Sequence, residues 1–151
     1  MSKILISLPV TNLERSIAFY EALGFSRSPD FSGDQGAYLI WSEAIRVMIM
    51  PHRIWQTMTT RPIPPSDQSE VGFQLSVDDR ATVDQLASAG AAAGGTIDIN
   101  PIEDHGFMYT RDLADPDGHI WGIAWMDEAA MAAACRWAAA ISGAISSTGS
   151  N

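Results

Sequence analysis

Alternating apolar and polar positions divide the first fifty residues into short strands. The stretches 3–10 (KILISLPV), 36–41 (GAYLIW) and 45–50 (IRVMIM) are rich in β-branched and aliphatic side chains, a composition typical of strands. Residues 42–44 separate the second stretch from the third and are short enough for a hairpin turn. The pattern therefore predicts one strand at the start of the chain and a hairpin after residue 35.

A helix is predicted between the first strand and the hairpin. Apolar residues recur there at helical spacing, at positions Leu13, Ile17 and Tyr20. Thr11 and Glu14 match the T-x-x-E capping box, which predicts that Thr11 begins the helix. Gly24 follows the last apolar position and is expected to end the helix as a C-terminal cap.

The same order of elements restarts at residue 71. A strand is predicted over 71–77, a helix from Asp78 to the glycines at 94–95, and then three strands in the segments 96–102, 106–113 and 119–125. Leu8–Asn12 matches Leu75–Asp79, and each of these segments opens a helix. The distance along the chain between these two matching segments is too long for one repeat of a solenoid. We therefore expect an α+β fold of two βαβββ modules paired around a central cleft.

The linker and the C-terminal segment differ from the two modules. Residues 51–70 hold four prolines and little periodicity, which predicts a loop or linker. Residues 127–145 are Ala-rich and predict a helix, and 146–151 (SSTGSN) predict a disordered tail. The expected organisation is one domain over 1–126, with modules at about 3–50 and 71–126, followed by the C-terminal helix.

Composition narrows the classes of partner. The net charge of −9 argues against nucleic acid, whose phosphates attract basic patches. The chain has no apolar run of membrane-spanning length, and its N-terminus lacks the features of a signal peptide, so we expect a cytoplasmic protein that does not bind membranes. Cys135 is the single cysteine, which excludes an internal disulfide framework and predicts an inert packing thiol.

Two motifs carry a resemblance to a known family. The N-terminal LPVTNLERSIAFYEALGF and the later DPDGHIW resemble the vicinal oxygen chelate superfamily, over about residues 3–126. That superfamily includes glyoxalase I, extradiol dioxygenases, fosfomycin-resistance enzymes and bleomycin-binding proteins. The resemblance implies a glyoxalase-like fold, but it leaves the function open because the superfamily contains several chemistries and also pure binders.

The metal-binding members of that family imply ligand positions that can be carried onto this chain. The first falls on Leu5, the second on Gly72, the third on Gly122 and a fourth near Met48 or Ile49. Divalent ions need oxygen or imidazole ligands, and none of these residues supplies one. The residues next to the first three positions are also apolar. We therefore expect no metal and no other cofactor.

The parity of those positions predicts which side chains line the cleft. Every second residue of a strand faces the same side, and this rule gives a set of candidate ligand-binding residues: Leu5, Ser7, Tyr38, Gly72, Gln74, Phe107, Tyr109, Arg111 and Gly122. Trp55 in the linker is added as a lid contact. His105 and Tyr109 are the candidate catalytic residues, since histidine titrates near neutral pH. His119, in the DPDGH turn, is interpreted as structural.

These observations favour a protein that binds a small organic molecule in the inter-module cleft without a metal. One alternative is a lyase or dioxygenase whose metal is held by non-standard ligands such as His105 and His119. Another is a structural dimer with a vestigial cleft. Because relatives commonly cover their exposed sheet edges and apolar faces by pairing, we also expect a two-fold homodimer.

Overall fold

The computed structural model describes residues 2–147, and the side chains of residues 2–139. The first module runs from β1 to β4 in the order strand, helix, three strands. Its elements are β1 (Ile4–Val10), α1 (Leu13–Ala22), β2 (Ser26–Arg27), β3 (Ala37–Ile40) and β4 (Ile45–Pro51). A short helix, α2 (His52–Met58), follows β4 directly.

The second module repeats this order and adds one short strand. Its elements are β5 (Gly72–Ser76), α3 (Arg80–Ala92), β6 (Thr96–Ile97), β7 (Glu103–Asp104), β8 (Met108–Ala114) and β9 (Ile120–Met126). The two helix N-caps, Asn12 and Asp79, lie at equivalent positions of the sequence repeat. The structure therefore confirms the α+β fold class with two sheets and a C-terminal helix.

Each module forms its own sheet, and both sheets have the same topology. The strand order is β1-β4-β3-β2 in the first sheet and β5-β9-β8-β6 in the second, where β7 also pairs with β8. In each sheet the first strand runs parallel to the last strand of its module, and the remaining pairs are antiparallel. β1 and β5 are thus outer strands of their sheets.

One face of each sheet packs against the helices and forms a core shared by both modules. Leu8 and Val47 supply it from the first sheet, Leu75 and Trp121 supply it from the second, and Phe19 of α1 is fully buried among them. Because side chains alternate along a strand, the opposite face of each sheet carries the remaining residues and stays partly open.

The ends of the helices follow local hydrogen bonding. Asn12, and not Thr11, is the N-cap of α1, because its side chain accepts a hydrogen bond from the backbone N–H of Arg15 at 3.0 Å. Gly24 has a φ of +95°, the left-handed conformation expected of a residue that ends a helix. The capping-box prediction was therefore wrong by one residue, whereas the helix stop is confirmed.

Two other predicted segments differ in the structure. Residues 52–58 form α2 although the prolines around them predicted a loop throughout 51–70. Pro51 precedes this helix and the other prolines follow it. The stretch that contains the apolar Ile54 and Trp55 is therefore free of proline and can form a helix. The strand predicted over 96–102 is reduced to β6, because Asp98 takes a positive φ of 54° and turns the chain.

The C-terminal helix, α4, spans Glu128–Ser147. Cys135 is exposed on it, so the thiol does not pack in the core, and Trp137 is 70% exposed. Of the tail predicted over 146–151, the first two residues belong to α4 and residues 148–151 lie outside the described part of the chain. None of the helices within residues 2–147 has the length and apolar character needed to span a membrane.

Candidate functional site

A pocket of about 460 Å³ lies where the two modules meet. Its walls come from both outer strands, from α2, and from residues 59–71, which we call the linker strap. Most of the lining is apolar and includes Leu8, Pro9, Trp55, Met58, Pro62, Pro64, Val71 and Phe73. The polar members are Ser7, Thr59, Arg61, Gln68, Ser69, Glu70 and His119. We call this cavity the seam pocket.

The linker strap is held over the seam by the Asp-Pro-Asp-Gly turn. Gly118 has a φ of +93°, and a Cβ atom at this position would overlap the carbonyl oxygen of Ser66. A second cavity of about 590 Å³ lies under the same strap and shares Pro9 and His119 with the seam pocket. The strap therefore forms the roof of both cavities, and its position depends on the absence of a side chain at residue 118.

His119 is held in the pocket wall by contacts on both its backbone and its ring. Its backbone N–H donates to Asp115 Oδ1 at 2.9 Å, and its carbonyl accepts from the Asp115 N–H at 2.9 Å. Its ring Nε2 lies 2.8 Å from the carbonyl oxygen of Pro9 in β1. The ring contact joins the second module to the first, and together these contacts leave the imidazole little freedom to turn.

The buried carboxyl group of Asp115 adds a second hydrogen bond between the two modules. Asp115 is only 3% exposed and accepts a hydrogen bond from the Tyr20 hydroxyl at 2.8 Å, while Trp121 Nε1 donates to the same hydroxyl oxygen at 3.1 Å. Burial raises the pKa of the Asp115 carboxyl above its ordinary value. Burial also raises the pKa of Tyr20, so this hydroxyl stays protonated and donates a hydrogen bond to Asp115.

The open face of the first sheet carries Leu5 and Tyr38 from the predicted set. Leu5 pairs with Arg46 across the ladder, and Tyr38 pairs with Met48, so all four share this face. The Arg46 guanidinium lies 6.0 Å from the Tyr38 ring centroid, and its buried Nε has no hydrogen-bond partner within the described residues. This face combines apolar side chains with one cationic group and with the hydroxyls of Ser7 and Tyr38.

The open face of the second sheet carries Gly72, Gln74 and Gly122. Gln74 and Asp112 flank Gly122 in one row of the sheet. A Cβ atom at Gly122 would lie 2.8 Å from Asp112 Oδ1, so the Asp112 carboxylate fills the space that the glycine leaves. Asn100 Nδ2 donates to this carboxylate at 2.7 Å. The sequence prediction left this space for a ligand and did not include Asp112.

Tyr109 and Arg111 lie on the helix-facing side of the same sheet. Arg111 pairs with Ile123 of the core, and Gly122 points the opposite way. The Tyr109 hydroxyl donates to Asp84 Oδ1 at 2.7 Å, and this hydrogen bond raises the pKa of Tyr109. Arg111 donates to Asp98 and Asp84, and these bonds raise its pKa. Both side chains are thus engaged with neighbouring carboxylates and do not share a face with Gly122.

His105 and Phe107 lie together on the loop before β8, away from the seam pocket. Their rings stack at a centroid distance of 6.2 Å. His105 Nε2 lies 3.8 Å from Glu103 Oε2, and both side chains are more than half exposed. Neither residue is among those that line the seam pocket or its neighbouring cavity.

The donors that could hold a metal are scattered. No group of three or more His, Cys, Asp or Glu side chains with suitable placement occurs in the part of the chain that the structure describes. His119 hydrogen-bonds to the Pro9 carbonyl, whereas His105 lies near Glu103. The two histidines of the alternative metal-site prediction therefore contact different groups.

The structure thus brings only Ser7 and Trp55 of the predicted set into one pocket. Phe73 and His119 line it as well, and sequence parity missed both. Phe73 has the opposite parity to Gly72 and Gln74 along the strand, and the DPDGH motif indicated only a turn. Nothing in the local sequence indicates that the linker strap covers this point, because the strap has no regular secondary structure from which to project its path.

A family model and several solved structures match this chain. A family model described as the Glyoxalase/Bleomycin resistance protein/Dioxygenase superfamily matches residues 4–123. A hypothetical protein from S. aureus has a similar structure, with a TM-score of 0.70 and 23% sequence identity over 83% of this chain and 94% of that chain. Among curated proteins there is no significant match.

Two further solved structures show the same fold. A glyoxalase/bleomycin resistance protein/dioxygenase family enzyme from Burkholderia phytofirmans PsJN has a TM-score of 0.69 and 17% identity over 84% of this chain and 100% of that chain. The fosfomycin resistance protein FosX from Mesorhizobium loti has a TM-score of 0.61 and 16% identity over 87% of this chain and 95% of that chain. Since the family model covers most of the chain, this protein belongs to the Glyoxalase/Bleomycin resistance protein/Dioxygenase superfamily.

Proposed function

We propose that this protein binds a small organic molecule in the seam pocket between its two modules. The observation that carries the proposal is the pocket itself, with its volume of about 460 Å³ and its largely apolar lining. Pockets of this size that combine apolar walls with a few polar groups are typical of small-molecule sites. Trp55 from α2 and Phe73 from β5 offer aromatic surface for a ring to pack against.

The binding proposed here does not use a metal. The positions that the family resemblance assigns to ligands are occupied by Leu5, Gly72 and Gly122, none of which has a side-chain donor atom. Because none of these positions offers a donor atom, the chain lacks the ligands that a divalent ion requires there. A lyase or dioxygenase with non-standard ligands would need His105 and His119 to act together, and their separate hydrogen-bonding surroundings argue against this alternative.

We also propose that the protein forms a two-fold homodimer through the open faces of its sheets. Leu5 is 52% exposed on the first face, beside Arg46, which forms no salt bridge with the described residues. The second face carries the Asp112 carboxylate. A second copy would let an apolar, cationic face meet an anionic one, and closed two-fold pairing is the commonest assembly of such chains.

Ligand binding is tested by native mass spectrometry of protein purified from its own host, with elemental analysis of the same sample. The expected result is a co-purifying organic molecule and well under one equivalent of zinc, nickel, iron or manganese. A near-stoichiometric metal that is lost in the His105→Ala or His119→Ala variant contradicts the proposal and supports the metalloenzyme.

Two variants at equivalent positions of the repeat decide where the molecule binds. Ser7 lines the seam pocket, whereas its counterpart Gln74 lies on the open face of the second sheet. Ser7→Phe should fill the pocket and abolish binding of the co-purified molecule in calorimetry, while Gln74→Phe should leave its affinity within about twofold. The reverse outcome places the site on the open face of the second sheet and contradicts the assignment.

A further inference from the structure

We infer that His119 is the hydrogen-bonding group of the seam pocket, and that the pocket takes a neutral, apolar ring compound carrying one N–H or O–H donor. This inference rests on the proposed function and names the chemical class of its ligand. It is carried by the hydrogen bonds of His119 and by the balance of charge in the pocket wall.

The tautomer of His119 follows from its partner. Ring Nε2 lies 2.8 Å from the carbonyl oxygen of Pro9. A carbonyl oxygen can only accept a hydrogen bond, so Nε2 carries the hydrogen and donates it. In the neutral ring, Nδ1 then holds a lone pair and acts as an acceptor.

That acceptor makes no hydrogen bond to the described part of the chain. Among the described residues, no backbone or side-chain group donates to His119 Nδ1, although its backbone N–H and carbonyl are both bonded to Asp115. His119 lines both cavities under the linker strap. A molecule in the seam pocket therefore meets an imidazole that offers an acceptor and is fixed in place by the Pro9 carbonyl.

Charge in the pocket wall selects a neutral molecule. The lining contains one cationic side chain, Arg61, and one anionic side chain, Glu70. Because their charges are opposite, together they add no net charge to the pocket wall. The remaining surface is formed mainly by aromatic and aliphatic groups such as Trp55, Met58 and Phe73. An apolar ring with one donor matches both the wall and the Nδ1 acceptor, whereas an ion would have to lose its hydration shell without a net opposite charge.

The test compares indole with 1-methylindole, which have the same ring system but differ in the N–H donor. Equilibrium dialysis with the full chain should give about fivefold tighter binding of indole, the ratio that a neutral hydrogen bond of about 1 kcal/mol produces. In the His119→Phe variant the ratio should fall to about one. Circular dichroism of the variant checks that it is folded.

A second measurement uses the unmodified protein and does not depend on the folding of a variant. With ¹⁵N-labelled histidine, indole should shift the His119 Nδ1 resonance and 1-methylindole should not. His105 provides an internal reference in the same spectrum, since it lies outside the pocket lining.

Each outcome bears on one of the two claims. Equal binding of the two compounds, or a preference for indole that persists in His119→Phe, overturns the role of His119 and leaves the proposed function standing. If neither compound binds up to its solubility limit, the pocket does not take neutral ring compounds and this inference is overturned, whereas the proposed function is decided separately by the co-purified molecule and the Ser7→Phe variant.

Discussion

Asp115 is a buried carboxylate at the junction of the modules, and a single hydroxyl mediates its contact with α1. The Tyr20 hydroxyl donates to Asp115 and accepts from Trp121, so it satisfies two buried groups at once. Leaving a buried polar group without its partner costs free energy comparable to that of a lost hydrogen bond or more. The residues most sensitive to substitution should therefore be found at this junction.

The Tyr20→Phe variant tests this. Removing the hydroxyl leaves Asp115 Oδ2 and Trp121 Nε1 without a partner, and we expect the free energy of unfolding to fall by about 1–3 kcal/mol. Urea denaturation followed by circular dichroism measures the change. Tyr109→Phe is the matched control, because its hydroxyl bonds the half-exposed Asp84 and its loss should cost less. Equal losses in the two variants would contradict the importance of the buried junction.

The same carboxyl predicts a dependence of stability on pH. Burial raises the pKa of Asp115 in the folded protein, so between the ordinary aspartate range and this raised pKa the folded state binds more protons than the unfolded state. The contribution of Asp115 to stability is therefore full at low pH and is lost as pH rises through the raised pKa.

We expect the stability of the wild type, relative to that of Asp115→Asn, to decrease from about pH 3.5 to pH 7. Thermal unfolding of both proteins across this range measures the difference, and the comparison removes the effects of other carboxylates. A difference that grows with pH would mean that the pKa of Asp115 is lowered by folding, contrary to the direction given by its burial.

At the scale of elements, the order of strands and helices could be predicted from the sequence, but the covering of the seam could not. Helix α1 follows from helical periodicity and its glycine stop, and helix α3 follows from its Asp start and its glycine stop. The course of the linker strap depends on long-range contacts, such as that between Ser66 and Gly118, which leave no periodic signal. Parity within β8 was equally ambiguous, since both of its faces carry polar residues.

The contact between the strap and the turn can be tested with two glycines. Gly118→Ala adds a Cβ atom that overlaps Ser66 and also strains a positive φ, whereas Gly106→Ala strains a φ of +78° with no atom within 4 Å. We expect Gly118→Ala to raise the rate of proteolysis within residues 59–71 severalfold, and Gly106→Ala to leave it unchanged. Limited proteolysis with mass spectrometry gives both rates. Similar rates in the two variants would show that the turn does not hold the strap.

At the scale of the whole molecule, the open sheet faces determine what the chain can pair with. Leu5 and Ile4 are adjacent on β1, are 52% and 62% exposed, and point to opposite sides of the strand. Only Leu5 shares the face of Arg46 that we propose as part of the dimer interface.

Sedimentation equilibrium should therefore find a dimer of the 16.3 kDa chain at micromolar concentration. The Leu5→Glu variant should weaken this dimer at least tenfold, because it replaces an apolar contact with a carboxylate that neutralises the adjacent Arg46 and opposes the anionic face of the second copy. Ile4→Glu, on the other side of the same strand, should have a much smaller effect. A monomeric wild type, or equal effects of the two variants, would contradict pairing through the open faces.

The linker strap has a consequence for how such a protein can diversify. The roof of the seam pocket is the peptide that joins the two repeated halves, and residues 59–71 contribute no strand to either sheet. Insertions and deletions are tolerated best in segments of this kind, because they break no ladder hydrogen bonds. After duplication of an ancestral module, the length of the joining peptide could change the size of the molecule admitted, while both halves kept their inherited framework.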